Sequence, residues 1–251
     1  MEASDYIYGI RAVIEAIEAG KEIDKIFIKK DLQSDLGAEL LSLIKERRIN
    51  VQRVPVERIN RITRKNHQGV LALLSAVTYH RLDHLVPALY EEGRLPFIVV
   101  LDGITDVRNF GAIARTAECC GVDAIVIPDH GSVSVGGDAI KTSAGALHTL
   151  PVCKVSNLGR AVVFLKENGY NVVAVSERAD FNYTKGDYTV PTALVMGAED
   201  VGIAPHILKM CDTKVSIPMF GKIGSLNVSV AAGVMMYEVV RQRLESNMEV
   251  I

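Results

Sequence analysis

The sequence predicts an α/β fold: a large unit built on a parallel sheet, preceded by a smaller α/β unit. Three observations point there. From Pro96 onward, short runs rich in β-branched residues alternate with helical stretches, the pattern of strands laid side by side with helices on both faces of the sheet. Before Pro96 the elements are shorter, and they end in a mixed segment holding Pro87, Gly93 and Pro96, residues that punctuate regular structure. A long apolar stretch, 228–244, closes the chain as a single helix.

The small unit covers residues 1–77. Ile10, Val13, Ile14 and Ile17 recur at helical spacing within 9–19. A strand follows at 26–28, a second amphipathic helix at 36–44, a strand at 51–54, a short helix at 56–62 and a buried strand at 70–77. Residues 78–95 read as a linker with a short helix at 85–90. In the large unit, 96–251, strands are predicted at 97–101, 124–127, 172–175, 193–196 and 215–217, with helices at 110–120, 140–147, 158–168 and 204–210.

The chain has 251 residues, 49% hydrophobic and 23% charged, as expected of a folded globular protein. A net charge of -2 lacks the basic balance that usually marks a nucleic-acid binder. Its distribution says more. Lys45, Arg47, Arg48, Arg53, Arg58, Arg61, Arg64 and Lys65 face only Glu46 and Glu57 in that stretch. Such a cluster suits phosphates, or equally a solvated helix face. Cys119, Cys120, Cys153 and Cys211 form no Cys-x-x-Cys and suit buried thiols in a reducing compartment. No zinc spacing appears, so no metal is expected. With no signal peptide and no apolar run long enough to cross a bilayer, the chain reads as soluble and cytoplasmic, without membrane contact.

Three blocks carry the chemistry: Asn109 to Ala117, Met196 to Gly202, and Ile217 to Gly221 leading to Ser225–Ser229. Each lies where a strand ends or a helix begins, where α/β sheets bind ligands. Taken alone, Asn109 reads as an N-cap, and Arg115 with Glu118 as a surface ion pair. Gly197 would admit a ligand to the backbone without a Cβ in the way. Glu199 is either a residue of the sheet's ligand edge or a solvated carboxylate. Ser225 or Asn227 could cap the last helix, whose first half is apolar nearly all round and so predicts burial on most sides. Competing motifs fail: no Gly-x-Gly-x-x-Gly follows the first strand of the large unit, and no P-loop, nucleophile elbow or His-Glu-x-x-His is present.

In this order the blocks resemble those of the SpoU (TrmH/RlmB) branch of the knotted RNA methyltransferases, closest to the RlmB group. Tyr8–Val13 and Asn66–Val70 resemble the opening and closing signatures of that family's small substrate-binding domain, itself similar to ribosomal-protein folds that hold structured RNA. Lys141–Ala146 resembles another recurring segment. The resemblance implies a deep trefoil knot in the large unit, S-adenosylmethionine bound in it, and a homodimer with the active site near the subunit interface. Carried over, the cofactor contacts fall on Gly197, Ile217 and Leu226. Arg115 becomes the main catalytic residue, supported by Asn109, Glu199, Ser225 and Asn227. A guanidinium is a poor base because it stays protonated, so the role assigned to Arg115 is to clamp a phosphate and stabilise alkoxide charge.

The reaction implied is 2′-O-methylation of a guanosine ribose in large-subunit ribosomal RNA. Transfer RNA as substrate, a catalytically silent RNA-binding homologue, and a small-molecule α/β enzyme or flavodoxin-like sensor are the alternatives. Asp106-Val107-Arg108 departs from the family, whose members often carry Pro and His before the Asn.

Overall fold

The computed structural model describes residues 6–47, 49–177, 179 and 181–248; Arg48 of the basic cluster lies outside them. The chain divides into two compact units, residues 1–78 with 134–140, and residues 79–133 with 141–251.

In the first unit, β1 (Tyr6–Tyr8), α1 (Ile10–Glu18), β2 (Ile23–Lys29), α2 (Asp35–Glu46), β3 (Val51–Val54), α3 (Val56–Asn60) and β4 (Val70–Leu74) follow one another. The sheet order is β1-β4-β2-β3, antiparallel except for β2 with β3. Alternate residues of a strand face opposite sides, and this sorts the core into two layers. Ile26, Ile28, Val70 and Ala72 pack under α1 and α2, against Val13, Ile14 and Leu40. Phe27, Leu71 and Leu73 pack on the other side with Val54 and with Ile59 of α3. Ser34 caps α2 by accepting from the Gly37 amide at 3.0 Å. The sequence did not announce β1, because three residues are too few to show a period.

The second unit contains β5 (Tyr79–His80), α4 (Leu82–Glu91), β6 (Phe97–Asp102), α5 (Val107–Cys119) and β7 (Ala124–Pro128). After the short α6 (Gly137–Thr142), whose residues 137–140 belong to the first unit, come β8 (Val152–Val155), α7 (Leu158–Glu167), β9 (Asn171–Val175), β10 (Phe181–Asn182), β11 (Thr192–Gly197), α8 (Pro205–Met210), β12 (Thr213–Ser216) and α9 (Val228–Met248). Eight strands lie in the order β10-β12-β9-β11-β6-β7-β8-β5, and every pairing is parallel. The chain lays down β6, β7 and β8 in one direction, and later inserts β11 between β6 and β9. A parallel sheet opens a ligand crevice at the carboxyl ends of strands where its winding reverses. Here that point is the β6–β11 pair, whose last partners are Asp102 and Gly197.

Helix α9 runs from that edge to the opposite one. At its far end Arg243 donates to the carbonyls of Tyr188 (3.0 Å), Leu95 (2.8 Å), Pro96 (3.1 Å) and Val190 (3.1 Å), just ahead of β6 and β11. Its guanidinium also lies over the Phe97 ring, 5.3 Å from the centroid. The Pro96 carbonyl also accepts from the Thr192 amide (3.0 Å) and that of Val190 from the Thr192 hydroxyl (2.7 Å), so one side chain ties together four acceptors at the start of β6 and β11.

Three expectations change. The helix predicted over 140–147 is broken: Ala144 (φ 51°) and Gly145 (φ 87°) are left-handed and separate α6 from a 3-10 turn at Ala146–His148. The first half of α9 is not buried nearly all round, because Val230 is 51% exposed, on a stripe that continues through Tyr237 and Leu244. Burial of the cysteines holds for Cys153 and Cys211, whose thiols it pushes up to about 12 and about 11, but Cys119 is exposed.

Candidate cofactor and catalytic site

The three blocks converge within the second unit. After β6, the Asp106 carboxylate accepts from the amides of Arg108 (2.7 Å) and Asn109 (3.1 Å), so Asp106 is the N-cap of α5. That corrects the capping reading of Asn109, which lies in the first turn with its side chain free for other work. The missed signal was plain: Asp106 is of capping type and stands just ahead of the helix.

After β11 the chain folds back on itself, with Ala198 bridged to Gly202. A Cβ on Gly197 would stand 2.2 Å from the Gly202 carbonyl carbon and 2.2 Å from the Ile203 amide nitrogen. The close approach that requires glycine is therefore first that of the protein's own backbone, rather than of a ligand. Asp102 at the end of β6, also missed in the sequence, accepts from the Ala204 amide at 2.7 Å and holds the far side of this turn.

Glu199, carried by the turn, is the hub of the cluster. Its Oε1 accepts from Asn109 Nδ2 at 3.1 Å, from Asn227 Nδ2, and from the Val228 amide at 3.4 Å. Asn227 Nδ2 also donates to Asn109 Oδ1 at 3.0 Å. Asn227 Oδ1 accepts from the Ser229 amide (2.9 Å) and hydroxyl (2.6 Å), so Asn227 rather than Ser225 caps α9. The carboxylate sits at the positive end of a 21-residue helix, where its charge is favoured. Three side chains 28 to 118 residues apart in sequence are thus locked together, while Glu199 and Asn227 stay exposed and open to a substrate.

Beside the cluster is a cavity of about 520 Å³, within the range of small-molecule sites. Gly197, Glu199, Ile217, Ser225 and Leu226 line it. Met196, Ile203, Leu208 and Met219 add apolar wall, and Lys209 and Lys214 add charge that the sequence did not flag. Arg115 is not part of this arrangement. It lies six residues along α5 from Asn109, about 9 Å up the axis and roughly a third of a turn round; it is exposed. The ion pair with Glu118 is not among those formed by the described residues. Among the described residues no helix is long and apolar enough to cross a membrane, and no group of His, Cys, Asp and Glu could hold a metal ion.

Residues 96–237 match the model of the SpoU rRNA methylase family, and residues 6–80 match that of the RNA 2′-O ribose methyltransferase substrate-binding domain. The chain belongs to the SpoU methylase family. It is 36% identical over 239 residues to the protein of Bacillus subtilis (strain 168) named as the TrmH family tRNA/rRNA methyltransferase YacO, covering 95% of this chain and 96% of that one. Among solved structures it is similar to the SpoU methyltransferase AviRb from Streptomyces viridochromogenes in complex with AdoMet, with 26% identity, a TM-score of 0.61, and 96% and 90% of the two chains covered. The TrmH/SpoU tRNA modifying enzyme of A. aeolicus is 33% identical with a TM-score of 0.56, over 66% of this chain and 86% of that one. The SpoU fold and its substrate-binding domain are thus those of the family. Relatives named for tRNA and for rRNA leave the RNA class to chemistry.

Proposed function

We propose that this SpoU-family RNA methyltransferase uses S-adenosylmethionine to methylate a guanosine 2′-hydroxyl in large-subunit ribosomal RNA. The observation that carries the reading is the convergence of Gly197, Ile217 and Leu226 on one cavity, with the Asn109–Glu199–Asn227 cluster at its side. The cavity fits the cofactor chemically: apolar side chains of Ile217 and Leu226 would hold a purine, and the backbone around Gly197 would offer polar groups to a ribose. When bound, the cofactor supplies an electrophilic sulfonium methyl group.

The chain's own residues do the rest. The hydroxyl is a weak nucleophile until its proton is drawn off, and alignment of the 2′-oxygen with the methyl group supplies much of the rate. Glu199 fixes the amides of Asn109 and Asn227, which leaves one N–H of Asn109 to orient the ribose. Ser225 lines the same wall. Arg115, exposed and without an ion pair among the described residues, is assigned to the phosphate next to the target ribose. Its fork suits that bidentate contact, which a lysine cannot copy. The assembly we assign is a homodimer built on the exposed stripe Val230, Tyr237 and Leu244 of α9, which are 51%, 56% and 58% exposed. Tyr237→Glu should then yield a monomer in light scattering.

The test is transfer of a tritiated methyl group onto RNA from a strain lacking the protein, followed by mapping of the labelled nucleotide. Label at one ribose of large-subunit RNA is expected, and it should be lost in Arg115→Lys. Label in transfer RNA would establish the alternative substrate, toward which the tRNA modifying enzyme of A. aeolicus points. Cofactor binding without transfer to any RNA would leave a silent RNA binder.

A further inference from the structure

The basic stretch 45–65 looks continuous in the sequence, but the fold separates it. Lys45 and Arg47 end α2, the helix that covers one face of the small sheet. Arg58 lies on α3, and Arg61, Arg64 and Lys65 follow it; Ile59 of α3 packs on the opposite face, with Phe27 and Leu71. Cross-strand register fixes the geometry there. Tyr8 and Phe27 are both partners of Leu71, so they form one row across β1, β4 and β2. Their rings are two strand spacings apart, about 9.5 Å. Lys65 Nζ lies 5.7 Å from the centroid of Tyr8, and Arg58 Cζ lies 5.0 Å from that of Phe27. Both cations are thereby held on this face, attracted to ring faces.

The chain carrying them is braced. His67 Nδ1 accepts from the Gly69 amide at 2.9 Å, which leaves Nε2 as the donor to Asn60 Oδ1 at 2.8 Å. Gln68, in a left-handed conformation (φ 53°), accepts at Oε1 from the Ile10 amide at 3.1 Å. Residues 61–66 are pinned at both ends and lie on this face of the sheet, with Thr63 buried and Ile62 packed against the Phe27 and Leu71 cluster, while Arg61, Arg64 and Lys65 stay exposed.

These cations have no acidic counterpart. Among the described residues none of Arg58, Arg61, Arg64 and Lys65 forms an ion pair, while Arg81, Arg94, Lys166 and Arg241 each do. All four are exposed, and Glu57 is the sole carboxylate between residues 53 and 65. In a chain of net charge -2, like charges grouped this way repel one another and lower stability unless an anion joins them.

We infer that the α3 face of the small unit, through Arg58, Arg61, Arg64 and Lys65, is the surface that grips the phosphodiester backbone of RNA, and that the α2 face is not. This rests on the RNA-methyltransferase reading and deepens it by naming the face and the chemistry of contact. Phosphate contacts position an RNA without reading its bases, so the grip is indifferent to sequence.

The experiment measures binding of a fluorescein-labelled RNA stem-loop of arbitrary sequence by full-length protein as salt is varied. Each phosphate contact to a single strand contributes about 0.7 to the slope of log K against log salt. The triple variant Arg61→Gln/Arg64→Gln/Lys65→Gln should lower that slope by about 2, and weaken binding at 0.1 M salt by about 100-fold. Arg61→Lys/Arg64→Lys, which keeps the charge, should keep the slope. Lys21→Gln/Lys45→Gln/Arg47→Gln removes the same charge from the end of α2 and the turn that follows α1, and should leave binding within a few-fold. Equal losses in the two triples would show that overall charge, not this face, holds the RNA. No loss in either, or no binding by the wild type, would overturn the inference outright. Calorimetry with S-adenosylhomocysteine on the same proteins reads the cofactor cavity independently. If that ligand fails to bind while the RNA result stands, the proposed function falls and the docking face remains.

Discussion

Gly197→Ala tests the geometry of the site most directly, because what the added carbon meets is backbone. Its Cβ would lie 2.2 Å from both the Gly202 carbonyl carbon and the Ile203 amide nitrogen, and 2.6 Å from the Gly202 oxygen. Bringing 2.2 Å out to an acceptable 3.4 Å requires the strand and the turn to part by about 1.2 Å. The turn cannot yield freely: Gly202 donates to Ala198 at 2.9 Å and Ala204 to Asp102 at 2.7 Å. Overpacking of this kind costs about 1–3 kcal/mol. In a protein of this size that lowers Tm by about 2–4 °C per kcal/mol. The same shift carries Glu199 away from Asn109 and Asn227, and an ångström of misplacement costs on the order of 100-fold in rate. Calorimetric melting, titration with S-adenosylhomocysteine and tritiated methyl transfer should all register the change. Gly202→Ala is the control. Its left-handed φ of 68° is strained for alanine, yet its Cβ meets nothing within 4 Å, so it should lose stability by about 1 kcal/mol without forcing strand and turn apart. If Gly197→Ala melted within a degree of wild type and bound the nucleoside equally well, the packing argument would be wrong.

Asn227→Asp keeps the cap of α9, since aspartate caps as well as asparagine, but sets a second carboxylate against Glu199; methyl transfer should fall on the order of 100-fold with little change in Tm. Arg243→Lys cannot reach the four carbonyls that the guanidinium bridges, and should cost on the order of 3 kcal/mol in chemical denaturation. The hydrogen-bonded Arg241 guanidinium, with Gln242, holds the Glu238 carboxyl below its usual range against the opposing effect of burial. Its stabilisation is complete above an unfolded value of about 4.3 and is lost as pH falls through the lower folded one. Melting curves from pH 7 down to pH 3 should therefore fall less steeply for Glu238→Gln than for wild type.

Local chemistry wrote much of this protein into its sequence. Runs such as Phe97–Leu101 and Ala193–Met196 are strands because β-branched, apolar segments satisfy a sheet buried on both faces, and their alternation with helices requires parallel pairing. The family blocks were equally legible, since capping types, paired glycines and strand ends sit at fixed offsets. Other features depend on what lies opposite in space. Strand β8 was missed because Val152–Val155 becomes a strand through partners distant in sequence, Ile125–Pro128 on one side and Tyr79–His80 on the other. The basic residues of 45–65 run together in sequence, yet the sheet parts them, because α2 and α3 cover opposite faces. Asn109, Glu199 and Asn227 were each readable as a cap or a solvated side chain. Only insertion of β11 between β6 and β9, with α9 starting above the same edge, makes them one hydrogen-bonded group. Hydrophobic period and turn chemistry act over a few residues, whereas a site assembled from chain ends more than a hundred residues apart is fixed by strand order, which no local pattern encodes.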